Sequence, residues 1–178
     1  MITTDRLLLR RWREADRAPF AAMGSDPEVM QHFPALLSRE ESDAMIDERI
    51  NPHFELHGYG LWAIERRSDG VFIGFTGLAE VGFHCPIGDD VEIGWRLARE
   101  AWGLGYAFEA ATAVMSYGFS VLRLPRIVAM TVEANRRSRR LMERLAMKRA
   151  PQLDFEHPRV PENSPVKPQI VYMRISDT

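Results

Sequence analysis

Val91-Glu92-Ile93-Gly94-Trp95-Arg96-Leu97 and, after a four-residue gap, Trp102-Gly103-Leu104-Gly105-Tyr106-Ala107-Phe108-Glu109-Ala110 form the stretch on which the fold turns. The first half alternates with the period of a strand. Val91, Ile93, Trp95 and Leu97 share one face; Glu92, Gly94 and Arg96 share the other. The second half sets Gly103 and Gly105 one residue apart, just before a helix predicted over residues 108–122. The first turn of a helix leaves N–H groups unpaired and carries partial positive charge, so it suits a pyrophosphate. Glycine removes the Cβ atoms that would keep an anion from those amides. A P-loop is excluded because the Gly-Lys-Ser/Thr ending is absent. The dinucleotide fingerprint is excluded because Phe108 stands where its third glycine belongs. Taken alone, the glycine pair also fits an ordinary turn.

Working outward, residues 126–132 (RIVAMTV) read as a strand after the helix-breaking Pro125, and 135–147 as a charged amphipathic helix with Leu141, Met142 and Leu145 on its apolar stripe. Upstream, 60–65 and 71–78 are apolar runs joined through Asp69-Gly70, a hairpin signal. Residues 6–12 (RLLLRRW) predict an opening strand, and 14–23 carry helix formers. Asp26 before Pro27 predicts a short helix ended by Phe33-Pro34, and Ser38 with Glu41 is a capping-box pattern opening a helix to about residues 48–56. The tail from Ala150 is proline-rich but closes on a strand over 170–175. Strands and helices do not alternate strictly, so the fold class is α+β.

With 178 residues the chain suffices for one domain. Net charge is −2, so no global field draws the molecule to nucleic acid or anionic lipid. No apolar run approaches the roughly 20 residues of a membrane span, and the N-terminus lacks the apolar core of a signal peptide. Cys85 stands alone and cannot form an internal disulfide; a free thiol suits a reducing compartment, and a cytoplasmic location is expected.

The 92–97 and 102–110 segments together resemble the acetyl-CoA signature of the GNAT superfamily of N-acetyltransferases, in its RimJ/RimL-like branch. Asn135-Arg136-Arg137-Ser138 with Leu141 and Leu145-Ala146-Met147 is similar to the family's next motif, and Arg6-Leu7-Leu8-Leu9-Arg10 to its usual start. The resemblance covers about residues 3–149. It implies a GNAT-like, mostly antiparallel mixed sheet of six or seven strands flanked by about four helices, with residues 1–178 forming a single acetyl-CoA-dependent domain.

Carried over by position, the resemblance implies that Trp102, Gly103, Leu104, Gly105, Tyr106 and Ala107 form the pyrophosphate loop. The backbone of Trp95, Arg96 and Leu97 would pair with the pantetheine arm. Asn135 would bond a pantetheine amide, Ser138 would lie near the thiol end, and Arg140 near the 3′-phosphate. Asn135 equally suits a helix cap. Two departures stand out. Ala146-Met147 replaces a glycine and aromatic, and Met142 stands where many relatives place the tyrosine that protonates the leaving thiolate. That role then falls to water, to Ser138, or to no group.

An ammonium cannot attack a thioester, so a base is required. Glu92 is the first candidate, since apolar surroundings move a carboxyl's pKa towards neutrality; a surface carboxylate, or one paired with Arg96 on the same face, is the competing reading. His157 is the second candidate base, or a turn residue before Pro158. Phe33, Trp62 and Phe75 are candidate acceptor-pocket residues, though each also reads as core. His53 and His57 stand four apart, but Pro52 argues against a regular helix there. No metal motif is present, and no metal is expected. Arg136, Arg137, Arg139 and Arg140 form a basic run without interleaved stacking aromatics, so a solvated helix face outranks nucleic-acid binding. The expected partners are therefore acetyl-CoA and an amine, either a protein N-terminus or a small molecule, with no nucleic acid or membrane, in a monomer or homodimer. The remaining alternative is an acyl-CoA-binding module without transferase activity.

Overall fold

The computed structural model describes residues 1–176. Nine strands form one sheet among the described residues: β1 (Ile2–Thr3), β2 (Leu7–Arg10), β3 (Leu61–Arg66), β4 (Val71–Glu80), β5 (Val91–Leu97), β6 (Arg126–Thr131), β7 (Lys148–Arg149), β8 (Phe155–Glu156) and β9 (Pro168–Ile175). Their order is β1-β2-β3-β4-β5-β6-β9-β7, with β8 paired to β9. Every pairing is antiparallel except β5 with β6. The α+β, mostly antiparallel expectation holds, with more strands than the six or seven expected. The surplus comes from two-residue strands β1, β7 and β8, too short to leave a periodic signature.

Among the described residues five α-helical segments flank the sheet: α1 (Arg17–Gly24), α2 (Arg39–Ala44), α3 (Asn51–His57), α4 (Tyr106–Ser120) and α5 (Arg136–Arg144). A widened π turn over Met45–Ile50 joins α2 and α3 without a break. Pro52 lies just after the widened turn, which relieves its clash with the preceding turn. So the helix expected to fail at Pro52 continues. The short helix expected after Asp26 is only a turn: the Asp26 carboxylate accepts from the Glu28 amide at 2.8 Å, but no second turn follows.

The capping box at α2 is present. Ser38 Oγ accepts from the Glu41 amide at 3.1 Å, and Glu41 Oε2 accepts from the Ser38 amide at 2.8 Å. Ser38→Ala should lower the unfolding free energy by about 1 kcal/mol, read as a shift of the urea midpoint without a change of slope.

α4 packs on the face of β4 and β5 that carries Leu78 and Ile93. Gly118 permits this approach, because a Cβ there would stand 2.6 Å from Ile127 Cδ1 and 3.1 Å from Leu78 Cδ1. On the opposite face, Phe20 of α1 meets Phe75 of β4 at 5.9 Å between centroids, beside Trp12. A buried Arg10–Asp16 pair, 2.7 Å apart, ties β2 to the turn before α1, and Arg10 also binds Glu65 at 2.6 Å. The proline-rich tail folds back on β6 and β9, where Phe155 and Leu153 join a small apolar cluster with Val128, Val171 and Ile87. No helix is long and apolar enough to cross a membrane among the described residues.

One feature of the sheet positions the site. β5 pairs with β4 over its whole length, but with β6 only at Val91/Ile127 and Glu92/Val128. Beyond Glu92 the two parallel strands separate, leaving the backbone of residues 94–97 without a partner on that side.

Candidate active site

A cleft of about 460 Å³ opens where β5 and β6 part. It is lined by Trp95, Arg96 and Leu97 of β5, by the loop before α4, by Asn135, Ser138 and Arg140 at α5, and by Glu28, Val29, Gln31, His32 and Phe33 of the α1–α2 connection.

At one end lies the glycine loop. Gly103 and Gly105 have φ of +76° and +83°, a region in which side-chain-bearing residues are strained. The amides of Leu104, Gly105, Tyr106 and Ala107 precede the first intrahelical donor of α4 and have no backbone partner among the described residues. Arg6 braces the loop from β2's side. Its Nη1 donates to Leu104 O at 3.0 Å, its Nε meets Glu109 at 2.6 Å, and its guanidinium lies 4.6 Å from the Tyr106 ring centroid. Trp102 donates from Nε1 to Leu97 O at 2.9 Å, and its ring meets the guanidinium groups of Arg99 and Arg137 at 4.9 and 4.4 Å.

Along the middle, Asn135 caps α5. Its Oδ1 accepts from the Ser138 amide at 3.2 Å, while Nδ2 donates to Thr131 Oγ1 at 3.0 Å. Trp95 Nε1 donates to Ser138 Oγ at 3.3 Å, fixing that hydroxyl in the cleft. The basic run divides by function: Arg137 stacks on Trp102, Arg139 pairs with Glu133 at 2.5 Å, and Arg140 lines the cleft.

The opposite face of β5 carries the titratable groups. Burial pushes the Glu92 carboxyl up to about 7, against the opposing pull of Arg49 and a hydrogen bond from the Met130 amide. Arg49 comes from the widened turn and was not legible as a neighbour of Glu92 in the sequence. Arg96 is 8% exposed, and burial pulls it down to about 10. Its guanidinium lies 4.2 Å from the centroid of Phe33 and 5.5 Å from that of Phe75. Glu92 and Arg96 are not the ion pair that the sequence left open, since Arg49 is the cation that acts on Glu92.

Several expected site residues require correction. Trp62 is 3% exposed and packed between Phe54 and Tyr117, so it belongs to the core rather than to an acceptor pocket. Phe75 is also core and reaches the site only as a floor under Arg96. Glu92 is not among the residues lining the cleft, and neither is His157. His157 stacks on Phe83 at 4.5 Å, its Nδ1 accepts from the Arg159 amide, and burial with Arg159 holds it below the usual histidine range. Phe33, by contrast, does line the cleft. The sequence missed His32, Gln31, Val29 and Glu28 beside it. Glu28 pairs with Arg99 and His32 feels the charge of Arg137, so this connection crosses the cleft mouth. The only signal was the Asp26-Pro27 turn, which says where the chain bends and not what it covers. Met142 is buried at 1% exposure, so no phenol stands at that position.

Residues 6–148 match a family model described as acetyltransferase (GNAT) domain. The chain is 33% identical over 153 residues to the uncharacterized N-acetyltransferase YoaA of Bacillus subtilis (strain 168), covering 84% of this chain and 83% of that protein. Among solved structures, an acetyltransferase from Agrobacterium tumefaciens str. C58 superposes with a TM-score of 0.79 at 25% identity, covering 97% of this chain and 92% of that one. The spermidine N-acetyltransferase from Vibrio cholerae, solved in complex with CoA and spermine, superposes with a TM-score of 0.74 at 18% identity and covers 97% of each chain.

Proposed function

The chain belongs to the GNAT acetyltransferase family and is an N-acetyltransferase; from that premise we propose that it moves an acetyl group from acetyl-CoA to a primary amine by direct attack, within residues 1–178 as one domain of the RimJ/RimL-like branch. The observation that carries this reading is the parting of β5 from β6 beside the unpartnered amides of residues 104–107. Those amides, at the start of α4 and free of Cβ obstruction at Gly105, suit a diphosphate, with Arg140 near the remaining phosphate. The unpaired edge of residues 95–97 suits an extended arm bearing amides, as an added strand would. Asn135 keeps acceptor and donor capacity beyond its cap for the same arm.

Bound acetyl-CoA supplies an activated acyl carbon with a thiol leaving group. Glu92, with its carboxyl near 7, takes the proton of the incoming ammonium, directly or through water. Ser138, oriented by Trp95, offers a hydroxyl towards the departing sulfur. No acetyl-enzyme forms, since Cys85 is buried in the apolar cluster beneath the tail. The α1–α2 connection across the cleft favours a small amine over a folded polypeptide. A cytoplasmic setting and a monomer or homodimer complete the proposal.

A second reading, an acyl-CoA-binding module, is favoured by Met142 in place of a phenol. Incubation with acetyl-CoA and a panel of amino acids, polyamines and short peptides separates the two. Amine-dependent release of free thiol is expected. Tight coenzyme A binding with no amine-dependent release across the panel would instead establish the module.

A further inference from the structure

The guanidinium of Arg96 is buried without an answering anion. Its Nε and Nη1 are inaccessible and have no hydrogen-bond partner, and no carboxylate among the described residues lies within ion-pair distance of it. Two aromatic rings, Phe33 and Phe75, flank it; a ring face attracts the cation but leaves its N–H donors unanswered. A buried charge without a partner is costly, so a site that retains one is built for an anion that arrives.

The acids among the described residues do not supply that anion. Burial is the sole cause of the shift at Arg96, with no carboxylate acting on it, whereas Glu92 answers to Arg49. The phosphates of a coenzyme are met elsewhere, by the loop amides at α4 and by Arg140, and α4 covers the other face of β5. Arg96 instead shares the Glu92 face. Between the two side chains stands Gly94, and a Cβ built there would meet nothing within 4 Å. Gly94 therefore leaves open space on the strand face that also carries the proposed base and the unpaired cation. The Cα atoms of residues 92 and 96 are about 13 Å apart along a strand, and both side chains can shorten that span.

We propose that Arg96 binds a carboxylate of the acceptor, so that the enzyme acetylates small amines that carry an acid group, amino acids and their longer homologues. The inference rests on the transferase reading above. A two-point contact pairs Nη2 with Nε or with Nη1, the donor pairs that point the same way, and requires Phe33 to move off the guanidinium.

The test compares matched pairs: α-amino acids, 4-aminobutyrate and 6-aminohexanoate, each against its amide, with wild type and Arg96→Met. In wild type the acid of the best pair should exceed its amide in kcat/KM by about tenfold or more, and Arg96→Met should bring the ratio to within about twofold. Because the replaced charge has no partner, Arg96→Met should also raise Tm. Equal use of acids and amides by wild type, an equal loss for both in the variant, or a fall in Tm would overturn the inference. So would a more than fivefold weaker coenzyme A Kd by calorimetry, which would place the guanidinium on the coenzyme. Acetylation of uncharged amines alone sinks only this inference; failure of every amine to release thiol sinks the transferase reading with it.

Discussion

Glu92→Gln should lower kcat/KM by about 100-fold or more and remove the acidic limb of its pH profile. Glutamine keeps the shape and the hydrogen-bonding oxygen of the carboxyl but cannot accept a proton. In wild type the productive form has Glu92 ionised, so the rate should rise with pH through about 7, where burial places this group. In the variant that limb vanishes and only the acceptor's own ionisation shapes the profile. A profile that keeps its limb near 7 after the exchange removes Glu92 from the mechanism.

The same substitution has an opposite signature in stability. The folded-state pKa of Glu92 is raised from 4.5 to about 7, so folding favours its protonated form. Its contribution is fully present below about 4.5 and is lost as pH rises through 7, because the native state must then hold a buried charge. Above pH 7, Glu92→Gln should therefore unfold at higher denaturant than wild type, with the difference shrinking below pH 4.5. Gain in stability with loss of rate marks a group kept for chemistry rather than packing. A purely structural carboxylate would lose both together.

The strands carrying the site were legible because each property that defines them is local. Alternation placed β5 over the residues observed, Val91–Leu97, and set Glu92 and Arg96 on one face. The glycine pair and the Asn135 cap are likewise written into neighbouring positions. Arg49, Glu28 and His32 reach the site from a helix and a turn far upstream in the chain, and no periodicity links them to β5. Trp62 and Phe75 show the complementary failure: an aromatic on a strand beside the site reads alike whether it lines a pocket or fills the core. The face it takes settles the matter, and β3 sends Trp62 towards Tyr117 of α4.

Gly105→Val should weaken coenzyme A binding by about 100-fold, measured by calorimetry on the folded variant. Gly105 holds φ at +83°, where a β-branched residue is strained by roughly 1–2 kcal/mol. That cost alone is a stability effect. The binding effect comes from where the strain is relieved. A Cβ at this position stands 3.3 Å from Arg6 Nη2, so the brace that fixes Leu104 and Tyr106 must move, and the loop amides turn away from their common centre. Hydrogen bonds from such amides to a charged group are worth about 1.5–3 kcal/mol each, so losing one or two accounts for the expected factor. Gly58→Val supplies the control, since Gly58 has φ of +75° at the end of α3 and a Cβ there would meet nothing within 4 Å. It carries the same kind of backbone strain outside the cleft-lining residues. Gly58→Val should lower Tm as much as Gly105→Val or more, yet leave the coenzyme A Kd within about twofold of wild type. If the two variants bind coenzyme A alike, the diphosphate does not rest on the loop before α4, and the cleft between β5 and β6 needs another ligand.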